Sequence, residues 1–111
     1  MDIKSGYSNY AQVSGIPNFC IDNIEKSISL IENSGISYEF RTTVVKELHS
    51  KKDFEEITSM LSSNSPYFLQ SFKDSDNVLT SGLSSCDKET LNHYLSIMKE
   101  KIHSTTLRGI D

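Results

Sequence analysis

Asp2 and Lys4 flank a single apolar residue, Ile3, so an extended segment here puts a carboxylate and an ammonium on one face and Ile3 on the other. Such a pair suits a zwitterionic or ribose-bearing ligand. The carboxylate accepts from an amine or from hydroxyls, and the ammonium meets a carboxylate. A solvated chain end would use the same residues with no ligand at all. Arg41 stands in a segment that is otherwise apolar or β-branched, where a guanidinium calls for an anionic partner: a ligand, a helix carboxylate or the nearby Glu39. Gln70, between Leu69 and Ser71, offers both a donor and an acceptor, to a ligand or to the backbone. Asp2, Lys4, Arg41 and Gln70 are the candidate binding residues.

Other chemistries have less to work with. The two cysteines, Cys20 and Cys86, have no Cys or His at ligand spacing and read as reduced thiols rather than as a disulfide. His49, His93 and His103 are dispersed, whereas a metal site needs at least three converging ligands, so surface or capping roles are expected for all three. No glycine-rich phosphate loop, nucleophile elbow or zinc signature occurs. No catalytic and no metal-ligating residue is assigned.

The elements that must position these side chains alternate between helical and strand periods, the pattern of an α/β domain with a parallel sheet. Ile21, Ile24, Ile28 and Ile31 recur at helical spacing, which predicts a helix over Asp22 to Asn33 with an Asp22/Glu25 capping box and Gly35 as its stop. Ile36 to Val45 reads as a strand, with Ile36, Tyr38, Phe40, Thr42 and Val44 on one face and Ser37, Glu39, Arg41, Thr43 and Val45 on the other. A second helix begins at Ser50, with Asp53 as its capping partner and Phe54, Ile57 and Leu61 facing inward. Pro66 introduces a strand over Tyr67 to Phe72, and a polar loop follows over Lys73 to Ser84. The last helix is predicted over Cys86 to Ile102, capped by Ser85, with a stripe of Leu91, Leu95, Met98 and Ile102. Thr105 to Arg108 closes the pattern as a final strand, and residues Met1 to Lys4 form a strand stub at its start. Ligands of parallel sheets bind outside the carboxyl ends of the strands. That rule selects Asp2, Lys4, the stretch from Arg41 to Val45, and Gln70 to Phe72.

With 111 residues the chain is long enough for one domain and one core. A net charge of −4, with Lys51-Lys52 as the one adjacent basic pair, argues against a nucleic-acid footprint. No apolar run is long enough to span a bilayer and no signal peptide is visible, so a cytoplasmic protein is expected.

The runs "MDIKSGYSNYAQVSGI", "IEKSISLIENSGISYEFRTTVVKELHSKKDFEEITSML", "YFLQSFK" and "CDKETLNHYLSIMKEKI" ending in "TTLRG" resemble the carboxyl-terminal half of a radical S-adenosylmethionine activating enzyme. The nearest subgroup is that of the anaerobic ribonucleoside-triphosphate reductase activating proteins, related to the pyruvate formate-lyase activating enzymes. The likeness extends nearly end to end and is most specific around "YEFRTTVV". It implies the last part of a (β/α) barrel, with about three to four parallel strands and three helices, acting on a glycyl-radical partner such as anaerobic ribonucleotide reductase. In such enzymes S-adenosylmethionine on a four-iron four-sulfur cluster is cleaved to a 5′-deoxyadenosyl radical. The resemblance implies that Asp2 and Lys4 contact S-adenosylmethionine and that Arg41 faces the same cavity.

Two departures accompany it. The family's CxxxCxxC cluster motif lies before the strand that carries Asp2 and Lys4 and is not among these residues. Where some relatives end the sixth strand with a His at the adenine, this chain reads Leu69-Gln70-Ser71-Phe72, leaving Gln70 or Phe72 for that contact. The expectation is a protein inactive by itself, with weak or residual S-adenosylmethionine binding, an open strand edge near Met1 to Lys4, and self-association or a second polypeptide to complete it. The alternative is a non-catalytic interaction module or a small-ligand-binding α/β module. Anaerobic reconstitution should leave no stoichiometric cluster on these residues, because two dispersed thiols do not form a cluster site. Iron and sulfide analysis checks this, and a stoichiometric cluster would overturn it.

Overall fold

Helix and strand alternate along the chain as the two periodicities require. The computed structural model describes residues 1–10, 13, 15, 20–72 and 84–108. Its elements are α1 (Ile21–Glu32), β1 (Phe40–Val44), α2 (Lys51–Met60), β2 (Tyr67–Ser71), α3 (Lys88–Lys99) and β3 (Thr105–Arg108). The three strands form one parallel sheet in the order β1-β2-β3. Among the described residues that sheet is open. The α/β class, the three helices and the final strand stand as expected from sequence. Residues 1–4 lie beside β1, where Ile3 N–H donates to the Arg41 carbonyl at 2.7 Å, Arg41 N–H donates to the Met1 carbonyl at 3.1 Å, and Asp2 bridges Arg41 in parallel. Apart from Ser84, the expected polar loop lies outside the described residues. No helix among the described residues is long and apolar enough to cross a membrane.

The two sheet faces differ in kind. Phe40, Thr42 and Val44 are buried while Arg41 and Thr43 are exposed, which is the alternation expected of this strand. Tyr67 and Leu69 of β2 and Thr105 of β3 join the buried face. α3 packs on β2 and β3, and α2 packs on α3. Phe54, Ile57, Leu91 and Met98 from these helices meet the strand residues in a single core, where the Phe54 and Tyr94 rings stack at 4.4 Å. Ile28 of α1 is buried in the same core, with Ile21, Ile24 and Ile31 packed against it. The opposite face is polar. Strand register places Arg41, Phe68 and Thr106 in one row and Thr43, Gln70 and Arg108 in the next.

Element ends depart from expectation where tertiary contacts decide them. β1 begins at Phe40 rather than Ile36, because its ladder partner begins at Tyr67, and Ile36 is 71% exposed. Pro66 contributes only its carbonyl, which accepts from Phe40 N–H at 2.9 Å. α1 begins one residue early, with Cys20 at the cap and no side-chain cap bond. Asp22 therefore sits inside the first turn, where it favours the helix dipole instead of forming a capping box with Glu25. α3 begins at Lys88, capped by Asp87 Oδ1 accepting from Thr90 N–H at 2.8 Å. Ser85 does not cap it, and Cys86 and Ile102 are buried just outside its ends. The Ser50/Asp53 capping box of α2 is as expected.

One buried polar chain crosses the inner face. The Tyr67 hydroxyl donates to Thr42 Oγ1, which donates to the Ile3 carbonyl at 2.6 Å, so a single side chain ties residues 1–4, β1 and β2 together. Burial pushes the Tyr67 phenol well up, with the bond to Thr42 opposing that shift. Thr42→Val leaves a hydroxyl and a carbonyl buried without their partner, at about 1–3 kcal/mol each, whereas Tyr67→Phe removes one bond worth about 0.5–1.5 kcal/mol. Denaturant unfolding should rank Thr42→Val as clearly the more destabilising, and equal losses would dissolve the proposed link.

Candidate functional site

Backbone pairing sets Asp2 beside Arg41, and their side chains complete the contact at 2.5 Å between Arg41 Nε and Asp2 Oδ1. Lys4 Nζ stands 3.8 Å from the other Asp2 oxygen, a looser pair. Asp2, Lys4 and Arg41 thus meet on the polar side of the sheet, while Ile3 is fully buried on the other. The partner of Arg41 is Asp2. Glu39 instead takes Arg108, at 3.0 and 3.3 Å, and the Arg108 guanidinium lies 3.6 Å over the Phe68 ring. This second ion pair reaches from the segment before β1 to β3, across β2.

A cleft of about 260 Å³ opens at the carboxyl end of β1, where the rule for parallel sheets places a ligand. Asp2, Lys4 and Thr43 supply its polar groups, and Val13, Val45, Leu48 and Phe72 its apolar wall, with Ile3 and His49 also in the lining. Of the four candidate binding residues, Asp2 and Lys4 line it. Arg41 stands one residue pair back along β1 and is held by Asp2. Gln70 lies on β2 in register with Thr43, about one strand spacing (~4.8 Å) away, and is not in the lining. Phe72, named beside Gln70 for the adenine contact, is the one that reaches the cleft.

Thr43 and Val45 fall in the stretch from Arg41 to Val45 that the strand-end rule selected, whereas the lining residues Val13, Leu48 and His49 were not picked out as binding residues from sequence. Leu48 lies in the turn after β1, where nothing local marks it. His49, expected at the surface or in a cap, is buried. Its Nε2 meets the Lys4 carbonyl at 2.8 Å, and its Nδ1 meets Val45 N–H at 3.0 Å.

A second set of buried polar groups holds the chain after Lys4. Asp53 Oδ1 accepts from Gly6 N–H at 3.2 Å, and Glu56 accepts from the Ser8 N–H at 3.1 Å and the Ser8 hydroxyl at 2.5 Å. Gly6 is required there, since a Cβ would come within 2.9 Å of the Asp53 carbonyl and collide with the Glu56 side chain. These carboxylates are engaged in docking a turn, which accounts for their burial without a catalytic task. Cys20 is exposed and Cys86 buried, both free. Burial pushes the Cys86 thiol up, and the Asp87 and Glu47 charges add to the shift, so it is not an activated nucleophile. Among the described residues, no group of three or more His, Cys, Asp or Glu side chains converges as a metal site.

No family model, curated protein or solved structure matches the chain.

The Arg41 hydrogen bond holds the Asp2 carboxyl below its usual 3.8, helped by the Arg41 and Lys4 charges and opposed by partial burial. The same bond pushes the Arg41 guanidinium up. A carboxyl depressed on folding stabilises the folded state above its ordinary pKa, and that stabilisation is lost as pH falls through the lowered value. Asp2→Asn should therefore cost a small, salt-screened amount of stability at neutral pH. The gap between variant and wild type should close only below about pH 3.8. Unfolding curves across that range check this, and a gap that is constant with pH would contradict it.

Proposed function

We propose that the cleft is one side of a binding site for the aminoacyl end of S-adenosylmethionine, in the carboxyl-terminal part of a radical S-adenosylmethionine barrel. In this reading the whole assembly serves a glycyl-radical partner such as anaerobic ribonucleotide reductase. The carrying observation is the pair of Asp2 and Lys4 at one lip of a cleft at the carboxyl end of β1. A zwitterion matches that lip, with its ammonium on Asp2 and its carboxylate on Lys4, while Phe72, Leu48 and Val45 receive apolar atoms. A parallel sheet with its helices packed on one face is what a segment of a (β/α) barrel with its outer helix layer would present.

The residues present do not fit an iron-sulfur cluster. One thiol is exposed, the other buried, and no donor set converges among the described residues. No radical step is assigned to these side chains, and binding and orientation are what they offer. A second reading, a self-sufficient small-ligand-binding α/β module, is favoured by the internal pairing of Asp2 with Arg41 and of Glu39 with Arg108.

Charge-assisted contacts contribute ~1.5–3 kcal/mol each, against an association cost of roughly 4–15 kcal/mol. With Arg41 already engaged, two such contacts leave weak binding. Calorimetric or NMR titration with S-adenosylmethionine should give millimolar affinity that disappears in Lys4→Ala. Micromolar binding that survives Lys4→Ala would remove the site, and equal binding of free methionine would favour the module reading.

A further inference from the structure

We infer that His49 is a positioning residue for the Asp2/Lys4 lip, setting where both side chains stand relative to the opposite wall of the cleft. The inference rests on the reading of the cleft as a ligand site. The Lys4 carbonyl can only accept, so at 2.8 Å the imidazole Nε2 must carry the hydrogen. Nδ1 is then free to accept from Val45 N–H at 3.0 Å. It also lies 3.3 Å from the Val45 carbonyl, but that oxygen already accepts from the N–H groups of Leu48 and His49, each at 3.1 Å. One ring, packed 6.0 Å from Phe54, thus joins the residue just after β1 to the end of the segment that carries Asp2 and Lys4.

Both ends of this clamp belong to the cleft, since Lys4 and Val45 line it together with His49. The inner side of the segment is fixed by Ile3 N–H on Arg41 and by Thr42 Oγ1 on the Ile3 carbonyl. His49 holds the Lys4 carbonyl, and Tyr10 hydrogen-bonds the Lys4 backbone as well. Without His49 the Lys4 carbonyl loses this donor. The ammonium, already only loosely tied to Asp2 at 3.8 Å, is then free to leave the lip.

Two substitutions split the clamp. In His49→Asn the shorter amide keeps an oxygen near the Nδ1 position for Val45 N–H but does not reach Lys4. In His49→Gln the amide nitrogen reaches the Lys4 carbonyl and the Nδ1 acceptor is lost. Hydrogen exchange should show the Ile3 amide exchanging about tenfold faster in His49→Asn, the equivalent of one hydrogen bond, with Val45 protected. His49→Gln should show the reverse. S-adenosylmethionine titration should weaken in His49→Asn and stay near wild type in His49→Gln. Identical exchange and binding in the two variants would overturn the inference, as would loss of the whole fold in His49→Asn alone, which would make His49 a stability residue. Long-range ¹⁵N–¹H correlation on the wild type is independent of how the variants fold: hydrogen on Nε2 supports the clamp, and hydrogen on Nδ1 alone overturns it. A wild type that fails to bind S-adenosylmethionine removes the proposed ligand, and the exchange pattern still decides the clamp.

Discussion

Thr42 is the constraint on which the arrangement depends. It is a polar residue set among Phe40, Val44, Tyr67 and Leu69 on the buried face of the sheet, and it is tolerated there because both roles of its hydroxyl are used. It accepts from Tyr67 on one side and donates to the Ile3 carbonyl on the other. A segment as short as residues 1–4 has little pairing of its own, with a single parallel bridge to Arg41. The link through Thr42 and the full burial of Ile3 anchor it. Because the pleat alternates, anchoring Ile3 on the inner face sends Asp2 and Lys4 to the outer one. The candidate site is therefore a consequence of core packing.

The same alternation explains why the outer face is ion-paired rather than apolar. Strands covered on both faces read as nearly continuous hydrophobic runs, whereas these alternate. Across the outer face the guanidiniums of Arg41 and Arg108 each find a carboxylate from a neighbouring segment. Arg108 also covers Phe68, the aromatic ring of that face in β2. The carboxyl end of β1, with Thr43 and the lip of the cleft, lies beyond these pairs.

Features determined within a few residues were legible in the sequence. The Ser50/Asp53 box, the isoleucine stripe of α1, the alternation through Arg41 and Thr43, and Pro66 at the mouth of β2 all depend on local spacing. Strand length was not legible, since β1 extends only as far as β2 can pair with it. Nor was the start of α3, where Ser85 was expected to cap the helix and Asp87, accepting from Thr90 N–H, does so instead. At the site, the shared face of Asp2 and Lys4 followed from strand period, but the partner of Arg41 did not. Asp2 is 39 residues away from it in sequence, and Glu39, the local candidate, is taken by Arg108 from the far strand. His49 was obscured for the same reason, because its role is defined by a carbonyl 45 residues earlier.

The charge arrangement also bears on what kind of ligand the cleft suits. A dianion such as a phosphate would gain most from Arg41, but it would have to displace Asp2 from a 2.5 Å contact and leave that carboxylate facing a second negative charge. A zwitterion avoids both costs, because its ammonium can share Asp2 with Arg41 while its carboxylate takes Lys4, whose tie to Asp2 is long at 3.8 Å. The exchange keeps the lip neutral and breaks no short bond. Asp2 keeps Arg41 paired on the face of the sheet, and an anion brought to Lys4 would stand beside its carboxylate, a cost that the ammonium of a zwitterion offsets.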